Sequence, residues 1–138
     1  MNKNIIFNEI TELDHKFLFD LLQQRRSDAN ISHKKMPTYD EHIEFVNSNP
    51  YSKWYIIEID NEKVGSIYLT KQNEIGVHIF QKFEEIKTYQ NVVKEFISKY
   101  PENQFLINIS PKNKLYIDFT EELGFKLVRY TFERDESS

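Results

Sequence analysis

Four histidines, at positions 15, 33, 42 and 78, are the side chains of this 138-residue chain whose ordinary pKa lies closest to neutrality. His78 falls in the run Glu74 to Phe80, where it alternates with Gly76 and Phe80 and so shares one face of a strand. A neutral imidazole in that position suits a proton acceptor; the alternative is a core histidine with its hydrogen bonds satisfied. His33 adjoins Lys34 and Lys35, which with Arg25 and Arg26 form the only tight basic groups. Such cations could meet a phosphorylated or nucleotide-linked small molecule, or could simply be a solvated surface. His15 and His42 sit on helical patterns and carry no chemical expectation. No pair of histidines has ligand spacing with a carboxylate placed to complete a site, so no metal is expected. The chain has no cysteine, which excludes disulfides, thiolate ligands and a cysteine nucleophile. Its three glycines, Gly65, Gly76 and Gly124, lie at least eleven positions apart, too far for a Walker loop, a dinucleotide fingerprint or a serine-hydrolase elbow.

A formal charge of -4, with 18 dispersed basic residues, gives no footprint for nucleic acid. Hydrophobic residues at 39% and aromatics at 14% supply the material for a core, and the length suits one domain. We expect that domain to span 1–133, with a frayed charged tail at 134–138. No apolar run approaches the roughly 20 residues that cross a bilayer, and the first residues lack a signal peptide's apolar region. The expectation is a cytoplasmic protein without a membrane partner.

The elements that must position these residues follow from periodicity. Asn4 to Phe7 suits a strand. Thr11 and Asp14 have capping-box spacing before a helix whose inward face is Leu13, Phe17, Leu18, Leu21 and Leu22, ending near Arg25 or Arg26. Thr38 and Glu41 repeat the box before a second helix with Tyr39, Ile43 and Val46 inward. From Trp54 the period becomes two: Trp54 to Ile59, Val64 to Thr70 and Glu74 to Phe80 predict an antiparallel meander. A helix from Glu84 to Tyr100 carries Ile86, Tyr89, Val93, Phe96, Ile97 and Tyr100 on one stripe. Gln104 to Ile109 predicts a strand, Asn113 to Leu123 a helix with Leu115, Phe119 and Leu123 inward and Gly124 at its end, and Phe125 to Phe132 a last strand.

This order, with Lys63-Val64-Gly65-Ser66-Ile67-Tyr68-Leu69, Asn73-Glu74-Ile75-Gly76-Val77, and Asn113 through Glu122-Leu123-Gly124-Phe125, resembles the GNAT superfamily of N-acetyltransferases over nearly the whole chain. The resemblance implies the α/β acyl-CoA N-acyltransferase fold, with a mixed, mostly antiparallel sheet of six to seven strands and four helices. It implies acetyl-CoA as donor and a small-molecule amine as acceptor, and it allows a homodimer. The run Ser32 to Pro37, with Trp54 to Glu58, is similar to a subgroup acting on amino sugars or sugar nucleotides, which would put His33, Lys34 and Lys35 at the acceptor. In the family the central strand bulges and splays from its parallel neighbour, so the acetyl-pantetheine arm lies between them. Here that strand is Glu74 to Phe80, with Gly76 at the bulge and the amides of Val77, His78 and Ile79 toward the acetyl carbonyl. By the same resemblance Glu74 or His78 acts as base and Tyr116 as acid. Lys87, Thr88 and Asn113 would contact the cofactor.

The cofactor's pyrophosphate normally rests on a turn written Gln or Arg, two residues, Gly, one residue, Gly or Ala. The matching positions here run Glu84, Glu85, Ile86, Lys87, Thr88, Tyr89, with both small positions filled and two carboxylates added. Each carboxylate about 5 Å from a phosphate opposes binding by roughly 0.8 kcal/mol in bulk water. The small residue three after Asn113 is replaced by Tyr116, and the family's tyrosine position is Thr120. Two readings therefore stand: an N-acetyltransferase, and a non-catalytic binding or assembly module whose cleft is filled. In either, acetyl-CoA binding in the usual pose is expected to be weak or absent.

Overall fold

A computed structural model of the chain describes residues 4–29, 36–101 and 103–134. Its sheet runs in the order β1 (Ile5–Glu9), β2 (Lys53–Ile59), β3 (Glu62–Leu69), β4 (Glu74–Ile79), β5 (Leu106–Ile107). The first four strands pair antiparallel, and β4 pairs β5 in parallel. The β2–β3 turn is made by Asp60 and Asn61, both at positive φ (51° and 68°), the conformation that a two-residue hairpin loop requires.

Helix α1 (His15–Ala29) and α2 (Tyr39–Asn47) cover one face of the sheet, where Leu18, Val46 and Ile56 are buried together. Helix α3 (Ile86–Lys99) covers the other, packing Val92 and Phe96 against Ile57, Ile59, Ile67, Leu69 and Ile75. Adjacent residues Ile56 and Ile57 are both essentially inaccessible, so β2 is buried on both faces. Helix α4 (Lys114–Glu122) follows β5. Both capping boxes form: Thr38 accepts from the Glu41 amide while Glu41 accepts from the Thr38 amide at 2.8 Å, and Thr11 pairs with Asp14 in the same way.

The structure departs from the sequence expectations at several places. The first helix continues to Ala29 instead of stopping near Arg25 or Arg26. Leu13 is 88% exposed, because it lies in a 3-10 turn, Glu12–Asp14, whose tighter period turns it outward while capping holds Asp14 in. Leu115 also points outward, and the buried side chain of α4 is Thr120. The sheet has five strands among the described residues instead of six to seven. The strand anticipated over Gln104 to Ile109 pairs only at Leu106–Ile107, and Phe125 to Phe132 joins no ladder. Gly124, at φ 100°, sits just past the end of α4, as an αL helix stop requires.

Candidate functional site

The parallel ladder between β4 and β5 consists of two pairs, Glu74 with Leu106 and Ile75 with Ile107. Beyond them the strands part, and a cleft of about 690 Å³ opens between Gly76–Ile79 on one side and Asn108–Ser110 on the other. The side chain of Tyr116, from α4, and that of Tyr89, from α3, border it.

Strand alternation fixes what faces the gap. The Phe80 amide bonds the Val64 carbonyl and the Glu74 carbonyl accepts from Thr70, so the even-numbered backbone of β4 is turned toward β3. The backbone polar groups of Val77 and Ile79 are then turned toward the departed β5. His78 is the exception among the three anticipated amides: its backbone pairs with Ser66 of β3, and its side chain lines the cleft. The splay occurs where expected, but no bulge lies at Gly76, since the β3–β4 register is unbroken from Gly65↔Ile79 to Leu69↔Ile75. The register shift falls instead between Ile57 and Glu58 of β2. Gly76 serves another purpose. A Cβ there would stand 2.1 Å from Cζ of Tyr68, whose ring covers the glycine, stacks on Tyr51 at 3.9 Å and meets His78 edge-on at 5.5 Å.

Glu74 is held from three sides. Its Oε2 accepts from Asn108 Nδ2 at 2.6 Å and from Arg129 at 3.2 Å, and its Oε1 accepts from the Thr70 hydroxyl at 3.4 Å. A carboxylate has about four acceptor positions, so one remains for a water or an amine.

At the other end of the cleft the Tyr116 hydroxyl donates to Glu84 Oε1 at 2.5 Å. Burial first, and then the bond to and charge of Glu84, raise the Tyr116 pKa far above that of a free phenol, so it stays protonated. The Tyr116 ring meets Tyr89 edge-on at 4.8 Å, and the buried Tyr89 hydroxyl lies 3.4 Å from Thr120 Oγ1. Burial raises the Tyr89 pKa, with the Thr120 bond acting the other way. Glu84, Tyr89 and Tyr116 thus line the cleft beside the start of α3, whose first turn carries amides without intrahelical partners. Its N-cap, Glu85, makes no side-chain cap.

Of the residues singled out from sequence, Glu74, Val77, His78, Ile79, Asn113 and Tyr116 line this one cleft. Lys87 and Thr88, on the first turn of α3, do not. His33, Lys34 and Lys35 lie outside the described residues. Asn108 and Arg129 carry no local sequence signal, since each acts on Glu74 from far along the chain, and Tyr68 meets Gly76 and His78 only through the pairing of β3 with β4. Among the described residues the charged side chains lining the cleft are Glu74 and Glu84, with no lysine or arginine. Among the described residues no group of three His, Asp or Glu side chains is placed to hold a metal ion, and no helix is long and apolar enough to cross a membrane.

Among the described residues a five-stranded sheet is covered on both faces, with its last two strands, β4 and β5, parted over a cleft, the layout of a GNAT-type fold. Solved structures agree. A domain from Methanocaldococcus jannaschii DSM 2661 superposes with TM-score 0.72 at 22% identity, covering 96% of this chain and 94% of its own. An acetyltransferase from Thermus thermophilus gives TM-score 0.70 at 14% identity, covering 91% and 89%. A ribosomal alpha-N-protein acetyltransferase in complex with coenzyme A gives 0.63 at 16%, covering 86% and 77%. The chain thus has the fold of the GNAT N-acetyltransferases. No family model and no curated protein matches it by sequence.

Proposed function

We propose that the chain is an N-acetyltransferase-like protein that takes the acetyl-pantetheine arm of acetyl-CoA between β4 and β5 and passes the acetyl group to a primary amine. The observation that carries this is the parting of the two strands after Ile75 and Ile107, with the backbone of Val77 and Ile79 turned into the gap. Amides so placed stabilise the oxyanion that forms when the amine attacks the thioester carbonyl. As the C–N bond forms and the C–S bond breaks, the ammonium proton passes to His78, or through water to the open position on Glu74. The leaving thiolate takes a proton from the Tyr116 hydroxyl, which must first turn from Glu84, and the phenolate is reprotonated from solvent as the product leaves. The amino-sugar class of acceptor rests on residues 33–35. A soluble setting and a small-molecule acceptor belong to the same reading.

A second reading, a GNAT-fold module without turnover, is favoured by the Tyr116–Glu84 bond and the Tyr89 side chain, which narrow the cleft beside the start of α3 with a carboxylate and two rings. Truncated donors separate the two. Under the first reading acetyl-pantetheine, which has no pyrophosphate, raises the melting temperature at least as much as acetyl-CoA. A ligand present at 100 times its Kd stabilises by about 2.7 kcal/mol, a readily measured shift. No shift with either ligand leaves the second reading.

A further inference from the structure

A second cavity, of about 550 Å³, adjoins the cleft on the α1 face of the sheet. Gln24 of α1 and Gln81, just past β4, line both spaces, and the Gln81 amide donates to Gln24 Oε1 at 2.7 Å. The volume is that of a small-ligand site. Its apolar wall is Phe17, Phe80 and Phe83, with the Phe17 and Phe80 rings edge-on at 5.1 Å. Phe80 continues the alternation of Gly76 and His78, so its ring stands on the same face as the His78 side chain, about 7 Å further along the chain. The two spaces differ in the sign of their charge. The cleft is lined by Glu74 and Glu84, whereas the second cavity is lined by Lys63, Lys82 and Glu62. Lys63 is paired with Asp14 at 3.3 Å. Lys82 lies over the Phe83 ring at 4.9 Å and has no carboxylate partner among the described residues.

We propose that the two spaces bind one acceptor end to end: its primary amine in the cleft beside Glu74 and His78, an apolar body over Phe17 and Phe80, and an anionic group at Lys82. The acceptor class is thus an amine that carries an acidic group on the order of 10 Å away. This rests on the acetyl-transfer reading of the cleft. The charge pattern selects against two simpler acceptors. A diamine would put a second ammonium beside Lys82, and a plain alkylamine would leave Lys82 without an anion. The Gln24–Gln81 bond ties α1 to the chain just past β4, so the Phe17 and Phe80 walls are held together.

The test is calorimetry on the full chain, without donor, using aminooctanoate, diaminooctane and octylamine, three primary amines of one chain length that differ at the far end. Aminooctanoate should bind roughly tenfold more tightly than diaminooctane, the effect of turning attraction into repulsion at one cation about 5 Å away in water. Octylamine should fall between them, and octanoate, which lacks the amine, should bind more weakly than aminooctanoate. Lys82→Glu, at an exposed position, should reverse the order of aminooctanoate and diaminooctane with far-UV circular dichroism unchanged. Diaminooctane or octylamine matching aminooctanoate in the wild type, an order unchanged in Lys82→Glu, or no binding of any of these ligands overturns the proposal. Aminooctanoate that binds in the expected order, yet gives no acetylated product with acetyl-pantetheine, supports the two-part site while overturning turnover.

Discussion

Under the proposed function, Glu84 is the side chain on which the cleft's affinity for a phosphorylated donor would turn. It accepts the Tyr116 hydroxyl and puts a carboxylate on the cleft wall two residues before α3 begins. Replacing Glu84 with Gln removes a repulsion worth about 0.8 kcal/mol at 5 Å in water, so acetyl-CoA affinity should rise roughly fourfold, read by calorimetry. Acetyl-pantetheine affinity should not change. His42 makes a separate prediction. It is buried on α2 against Phe19, and its Nε2 has no hydrogen-bond partner among the described residues. Burial first, then the charge of His15, lowers its pKa below the ordinary value of 6.5. A histidine whose folded pKa is depressed contributes stability above 6.5 that is lost as pH falls through the folded value. Urea midpoints should therefore rise as pH is raised from acid toward the ordinary histidine value and level off above it, and His42→Phe should flatten that rise. The residue scale is also where sequence reading reached least evenly. Alternation alone brought Val77, His78 and Ile79 to one strand. The bonds from Asn108 and Arg129 to Glu74 span 34 and 55 positions and leave no periodic trace.

Among the elements, those set by local chemistry were the legible ones. The Thr38–Glu41 box needs only side chains three apart, and it forms as its spacing predicts. Thr38→Ala should cost about 1 kcal/mol, measured as a shift in the urea midpoint at constant slope. The α3 stripe was legible for the same reason, since Tyr89, Val93 and Phe96 repeat at helical spacing and are buried. Leu13 and Leu115 keep that spacing yet point outward, because a 3-10 turn and a half-covered terminal helix do not honour it. Gly76 belongs to this scale too, its bare Cα being the seat of the Tyr68 ring. Gly76→Ala should destabilise by about 1–3 kcal/mol through overpacking, with much of the loss recovered when Tyr68→Ala is added. If the double variant is no more stable than Gly76→Ala alone, the two side chains do not share that space.

For the whole molecule, strand pairing and burial divide the sheet unevenly. β2 and β3 pair along their full lengths and enclose Ile56, Ile57 and Ile67, while β5 is held by two pairs. Native-state hydrogen exchange should show amides of β2 and β3 opening only with global unfolding, and those of 104–110 exchanging faster. The fold class was legible at this scale because element order and hairpin turns are local. The last strand was not, since period-two apolar spacing in Phe125 to Phe132 says nothing about whether an edge is there to receive it. The brevity of the β4–β5 ladder has a kinetic side. Antiparallel neighbours close through short turns, whereas β5 must reach β4 across the α3 crossover, so the cleft should assemble late on the folding path. A ligand that spans both strands would act on contacts missing from the transition state, lengthening the lifetime of the native state while leaving the refolding rate where it was.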